Sequence, residues 1–385
     1  MKKPPRIFRW GLLGLWIGSL WAIALATSLA GGVEAQTQGG NEPLLGYATG
    51  PDRVLVLDLT AFKRVKTIIG GEEVQFLSSS PKFGSNRRIY IADADARGLH
   101  VLDAELQEFV DFIPLEGQPN DFEILGEVAL VNDFSGQRVL LLDLAAKGVF
   151  GESAVDGPAA NEIALSPDGH RAYVTTFNFE EEVPHEASHP LVVFDVIQQP
   201  NGTLTLVHVG TVPLQEDLGG GEVIPYMASS VDVSSDGKRV YVLAVDDYEE
   251  NPEVFVVDAE SLEVIDILPV DLGRRAREPF VNVLVLSPDD KTLGISAFRN
   301  GLALLDVETG ETRVIKPQNA RLTDPSVLGV TFGPEGAVLY ATGFVIGGEF
   351  GFVATFDPKT GEQLSVLTAR RQPLLYLSIP GGKTF

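Results

Sequence analysis

The sequence predicts an all-β protein: a seven-bladed β-propeller of four-stranded antiparallel blades, closed by strands from both termini. Three observations predict it. An apolar run ending in Asp recurs seven times, at Asp58, Asp103, Asp143, Asp195, Asp258, Asp306 and Asp357, 40 to 63 residues apart, a spacing that fits one propeller blade per copy. A turn built on Ser-Pro-Asp-Gly or a variant of it recurs ahead of these runs. The two ends of the chain read as complementary fragments of one such unit.

The unit is clearest at Val231–Val270, where VDVS, RVYVLAV, EVFVVD and EVIDILPV alternate apolar with polar residues. Period-two alternation rich in Val, Ile and Tyr marks half-buried strands. The first hairpin recurs as SPDGHRAYV at 166–174, SSDGKRVYV at 234–242, SPDDKTLGI at 287–295 and GPEGAVLYA at 333–341. In such a turn Pro fixes φ, Asp caps and Gly accepts positive φ. Blades two and three carry looser versions at 79–92 and 123–131. The Asp closing each third strand can accept bonds from backbone N–H groups two or three residues on, a structural role. LLGYATG at 44–50 reads as a second strand without its first, and PLLYLSIPGGKTF at 373–385 as a first strand with nothing after it. Joined, they complete a blade and leave no open edge.

SPDGHRAYV followed by VVFD, and SSDGKRVYVLAV followed by VFVVDAESLEVIDILPV, resemble the YVTN-type propeller repeat. The resemblance covers nearly all of residues 36–385, strongly in blades four to six and loosely in two and three. The family's Asn after the Tyr strand is replaced by Thr176 or Ala244. The resemblance implies the propeller fold, which binding proteins, lactonases and subunits of periplasmic dehydrogenases share, so it implies no single function.

Residues 1–35 form a targeting segment. Lys2, Lys3, Arg6 and Arg9 are followed by the apolar run Trp10–Ala30 and a small-x-small site at Val33-Glu34-Ala35, the pattern of a secretory signal peptide. Export to the periplasm or exterior is therefore expected; an uncleaved leader would instead anchor the chain. Cleavage removes four basic residues and one acidic residue and moves the formal charge from −24 to −27. That balance disfavours nucleic acid and anionic membranes as partners. With no cysteine, disulfides, thiolate metal sites and Cys-attached haem are excluded. All three tryptophans (Trp10, Trp16, Trp21) lie in the leader, which argues against the docking tryptophans of quinone-cofactor propellers. The 350 residues that remain exceed the roughly 250–300 one core sustains, a problem a repeat fold solves by sharing core between neighbouring units.

Loops joining second to third strands, and blade to blade, share one face of the disc, and every long insertion falls there: Asn178–Pro190, Pro213–Ala228, Asp246–Glu253, Asp271–Phe280 and Lys316–Pro325. Blades four and five make that face acidic, whereas Arg274, Arg275, Arg277, Arg299, Arg321, Arg370 and Arg371 make the other half basic. Two unrelated solvated sets of loops would show the same segregation. The functional reading is a docking surface whose arginines take carboxylate or phosphate groups of a protein or small anionic ligand. His185-Glu186-Ala187-Ser188-His189 matches the H-E-x-x-H zinc pattern. Pro184 and Pro190 bracket it, leaving room for at most one helical turn. With Asp246 and Asp247 of the acidic loop it makes a divalent cation, Zn²⁺ or Ca²⁺, the candidate cofactor, against a chance match and a solvated turn. No nucleophile elbow or phosphate loop occurs. The expected function is an exported binding or scaffold propeller. The alternatives are a lactonase-like hydrolase, from the Asp…Asn-Gly-x-Leu pattern in VVFDVIQQPNGTLTL, or a periplasmic oxidoreductase subunit whose cofactor a partner carries.

Overall fold

The structure is a computed structural model describing residues 43–381, except 72–73, 158, 178–188, 201, 220–221, 247–251, 274–280, 348–349 and 371–372. The leader and Arg274, Arg275, Arg277, Arg371, His185, Glu186 and Asp247 lie outside the described residues.

Seven antiparallel sheets follow one another along the chain. Blade one is closed as its sequence predicts: Leu377–Ser378 pairs with Leu45–Gly50, whose own partners are Arg53–Asp58 and then Lys63–Ile69. The N-terminal segment thus supplies the second to fourth strands, and the C-terminal segment the first. The remaining blades are consecutive four-strand meanders. Blade five differs: its inner strand is lengthened to Glu222–Val233 and pairs over its first part with Gln215–Gly219. Most of the expected insertion Pro213–Ala228 is therefore a β-hairpin continuing that blade.

The core is divided as a repeat architecture requires. Seven clusters of buried side chains each join two adjacent blades. Phe332, Phe352 and Phe356 of blade seven, for example, share a cluster with Val283, Leu302 and Leu304 of blade six. Leu374, Leu377 and Ile379 lock the closing strand against Leu55, Leu57 and Val353.

The turns obey their residues. Gly169, Gly237 and Gly336 adopt φ of 71°, 70° and 68° in the first hairpins of blades four, five and seven. Blade six places Asp290 at that position with φ 58°, a conformation costly for a residue with a Cβ. Asp290 accepts bonds from the Ser235 amide of blade five at 3.0 Å, so the strained residue ties two blades. Six of the seven third-strand Asp residues cap their turns, as Asp306 does with Glu308 N at 3.1 Å and Thr309 N at 2.8 Å. Asp195 is the exception. Its hairpin runs on to Gln198, and its carboxylate accepts from Arg171 Nε at 3.2 Å.

A small polar residue near the end of several second strands serves the bulge in the inner strand beside it. Thr175 Oγ1 accepts from Glu162 N at 3.1 Å, and Ser296 Oγ from Val283 N at 2.9 Å. Blade three has Asn132 there, opposite Asp121. Asn132 is wholly buried, and neither amide atom has a hydrogen-bond partner among the described residues. Two stability outcomes are expected in thermal and denaturant unfolding. Ile379→Ala, which hollows the closing strand, costs about 2–5 kcal/mol. Asn132→Thr, which copies the hydroxyl of blade four, gains about 1 kcal/mol by relieving a buried unsatisfied amide.

Candidate binding face and channel girdle

Among the basic residues named from sequence, Arg299, Arg321 and Arg370 are described. Arg321 lies in the connection from blade six to blade seven, exposed. Its guanidinium carbon is 5.9 Å from the centroid of the Phe350 ring, and Nη1 donates to Thr368 Oγ1 at 3.4 Å. Arg370 ends the outer strand of blade seven and pairs in register with Phe350. At the loop-rich edge of that blade, Arg321 therefore lies over the Phe350 ring and Arg370 is the cross-strand neighbour of the same residue. Neither forms an ion pair among the described residues. Arg299 sits half-buried in the blade six loop, where Lys316 Nζ donates to its carbonyl at 3.2 Å.

The acidic half is different in kind. Asp246 is buried at the end of the second strand of blade five, opposite Tyr226. Burial and a hydrogen bond to Glu253 raise the Tyr226 hydroxyl far above its ordinary pKa, and burial raises the Glu253 carboxyl. Glu216 adds its charge to this group. His189 is buried just ahead of the third strand of blade four, and desolvation lowers its pKa, which favours a neutral ring in the wall. Among the described residues no three His, Asp or Glu side chains converge as a metal site.

Asp93 and Asp133, at the equivalent loops of blades two and three, are fully engaged. Asp93 accepts from the amides of Gln75, Phe76 and Ala96 and from His100 Nε2, the last at 3.0 Å. Its pKa is lowered by the His100 bond and these amides, against burial as the largest single, opposing influence. Asp133 accepts from the Gln118 and Gly136 amides, Ser135 Oγ and Arg138 Nε. Both carboxylates pin the connection from the preceding blade to their own loop. A cleft of about 720 Å³ opens on the other face between blades four and five, lined by Asp168, His170, Arg171, Asp195 and Lys238. Arg171 spans it, from Asp195 to the carbonyl of Ala259.

Polar residues that the sequence reading passed over line the channel. Apart from the first part of the blade five strand, which pairs with Gln215–Gly219, the inner strand is the edge of its sheet, so its outward N–H and C=O groups need partners. The preceding blade supplies them. Ser78 Oγ donates to Pro119 O at 3.1 Å, Asn120 Nδ2 to Asn161 O at 2.9 Å, and Asn161 Nδ2 to Ser229 O at 3.1 Å. Asn282 Nδ2 donates to Leu328 O at 3.1 Å, and Thr342 Oγ1 to Leu375 O at 2.6 Å. Acceptors complete the set: Asp121 takes Ile163 N at 3.0 Å, Glu162 takes Val231 N at 3.0 Å, Ser230 takes Leu284 N at 2.9 Å and Asp232 takes Leu286 N at 2.8 Å. A partial signal was present: Asn-Asp-x-Glu at 120–123, Asn-Glu at 161–162 and Ser-Ser-x-Asp at 229–232 all interrupt otherwise apolar inner strands.

Lys82 and Glu123 form an ion pair of 2.8 Å within this girdle, with side chains 6% and 2% exposed. Removing one partner of such a pair leaves a buried charge. Lys82→Met is expected to cost about 3–5 kcal/mol, and Lys82→Met with Glu123→Leu distinctly less; a double-mutant cycle in urea checks both.

No protein-family model matches the chain, and no curated protein matches it in sequence. Solved structures do match in fold. The β-propeller domain of Cps50 (Swd1) from Myceliophteria thermophila aligns with a TM-score of 0.54 at 13% identity, over 76% of this chain and 86% of that one. Hydrazine synthase from Kuenenia stuttgartiensis aligns with a TM-score of 0.56 at 12% identity, over 88% of this chain and 99% of that one. At such identities the likeness concerns the propeller alone.

Proposed function

We propose that the protein is an exported binding propeller of the YVTN repeat type, taking a carboxylate- or phosphate-bearing ligand or protein segment at the blade seven edge of its loop-rich face. The observation that carries this reading is the Arg321–Phe350–Arg370 arrangement. An arginine over an aromatic ring keeps the edge of its guanidinium available, and that edge matches the two oxygens of a carboxylate or phosphate. Thr368 also holds the Arg321 side chain, accepting from Nη1, which reduces the entropy lost on binding. Export rests on the leader at residues 1–35.

The lactonase-like pattern in blade four has a simpler origin in strand pairing. Leu191–Gln198 and Leu204–Val212 form one long hairpin, closed by bonds between Gln199 and Thr203. The oxidoreductase-subunit reading requires a partner that carries the cofactor.

Thermal unfolding of residues 36–385 against citrate, inorganic phosphate, sugar phosphates and an acidic peptide tests the proposal. A binding anion at about 100 times its dissociation constant adds about 2.7 kcal/mol. Arg321→Glu with Arg370→Glu is expected to abolish that shift without lowering the ligand-free Tm. A shift that survives both reversals counts against the site, and hydrolysis of a sugar lactone would favour the hydrolase instead.

A further inference from the structure

The junctions between inner strands are not chemically alike. Those from blade two to three, six to seven and seven to one include the neutral donors Ser78, Asn282 and Thr342. From blade three through blade six, carboxylates accept the main-chain N–H of the next blade: Asp121 from Ile163, Glu162 from Val231 and Asp232 from Leu286. Asp121, Glu123 and Glu162 are each no more than 1% exposed. Among the described residues, the cation that influences Asp121 and Glu162 is Lys82, already paired with Glu123. Three carboxyls thus share one ammonium in a water-poor place, where an uncompensated ion costs several kcal/mol. Protons remove the surplus charge.

The charged and titratable groups around this pair come from three inner strands. Lys82 faces it from blade two, Glu123 lies two residues along from Asp121, and blade five contributes Ser230 and, two residues further, Asp232. Asp133, on the neighbouring strand, is taken up by Gln118, Gly136, Ser135 and Arg138. Neither Asp121 nor Glu162 has an ion-pair partner among the described residues. Glu162 accepts from Val231 N through one oxygen and from Ser230 Oγ, 3.3 Å away, through the other; protonation reverses the second bond and leaves the first in place.

We propose that the junctions from blade three to four and from four to five form a proton-operated clasp, closed while the Asp121–Glu162 pair retains a proton and loosened when that proton is lost, with the junctions from blade six to seven and from seven to one indifferent to pH. Burial raises both carboxyls well above the ordinary range, and the Asp121 charge raises Glu162 further. The stabilisation is then complete below the unfolded value of about 4 and fades as pH rises through the folded value. This sign is opposite to that of the turn carboxylates such as Asp258 and Asp306, whose pKa values are lowered mainly by backbone amides.

The test compares the mature chain with Glu162→Gln, an isostere of the protonated acid, and with Asp121→Asn, from about pH 5 to about pH 9. The Tm advantage of Glu162→Gln over the parent should grow with pH. Hydrogen exchange, corrected for intrinsic pH dependence, should show parent peptides 159–165 and 228–233 losing protection, roughly tenfold per pKa unit. Peptides 325–332 and 374–379 should hold theirs, and Glu162→Gln should abolish the contrast. A Tm difference independent of pH, or protection lost evenly around the ring, overturns the proposal. Should Asp121→Asn fail to fold, Glu162→Gln alone decides it.

Discussion

Apart from the hairpin that extends blade five, each blade begins with a strand whose channel-side edge has no strand to pair with, and the molecule depends on how that edge is satisfied. A sheet edge buried without partners loses one unmade bond per residue, each costing about 1–3 kcal/mol. Here the answer is a relay in which side chains of one inner strand reach the main chain of the next, as Asn120 does to Asn161 and Asn161 does to Ser229. The same bonds that satisfy the edge therefore hold neighbouring blades in register. Apolar packing between blades is non-directional; the relay supplies the direction.

The relay also explains why polar residues occupy positions in the deepest layer of an otherwise Val- and Leu-rich repeat. Asp232 reads in the sequence as the polar half of an alternating strand and so as solvent-facing. It is 5% exposed and bonded to Leu286 N. Alternation reports that two faces differ, not that one of them is wet. In an inner strand the polar residues can instead turn to a neighbour's backbone.

The architecture was legible because most blades repeat parts of a local code, turn glycines at positive φ or third-strand Asp residues over their own amides, and because the two ends of the chain are complementary. The added hairpin of blade five escaped because Gln215–Gly219 has little strand propensity; pairing with the lengthened inner strand defines it. The candidate site was legible only in part. Charge segregation drew attention to the blade seven edge, yet Phe350, which lies beneath Arg321 and opposite Arg370 in the strand register, carried no charge to mark it. Asp246 read as a solvated ligand arm and is buried beside Tyr226. Sequence distance hid the girdle as well, since Glu162 and Ser230 are 68 residues apart.

The closure of blade one has a consequence for how the molecule comes into being. Leu45–Gly50 is among the first described segments made, and its missing neighbour, Leu377–Ser378, lies more than 300 residues further on. Until Leu377–Ser378 has been made, one edge of the earliest described blade has no neighbour, and the ring stays an open arc. Contacts of such long range form late, so the ring stays unlocked until that strand arrives. A polypeptide that cannot clasp itself until two such distant strands have met is one that can still be threaded as an extended strand.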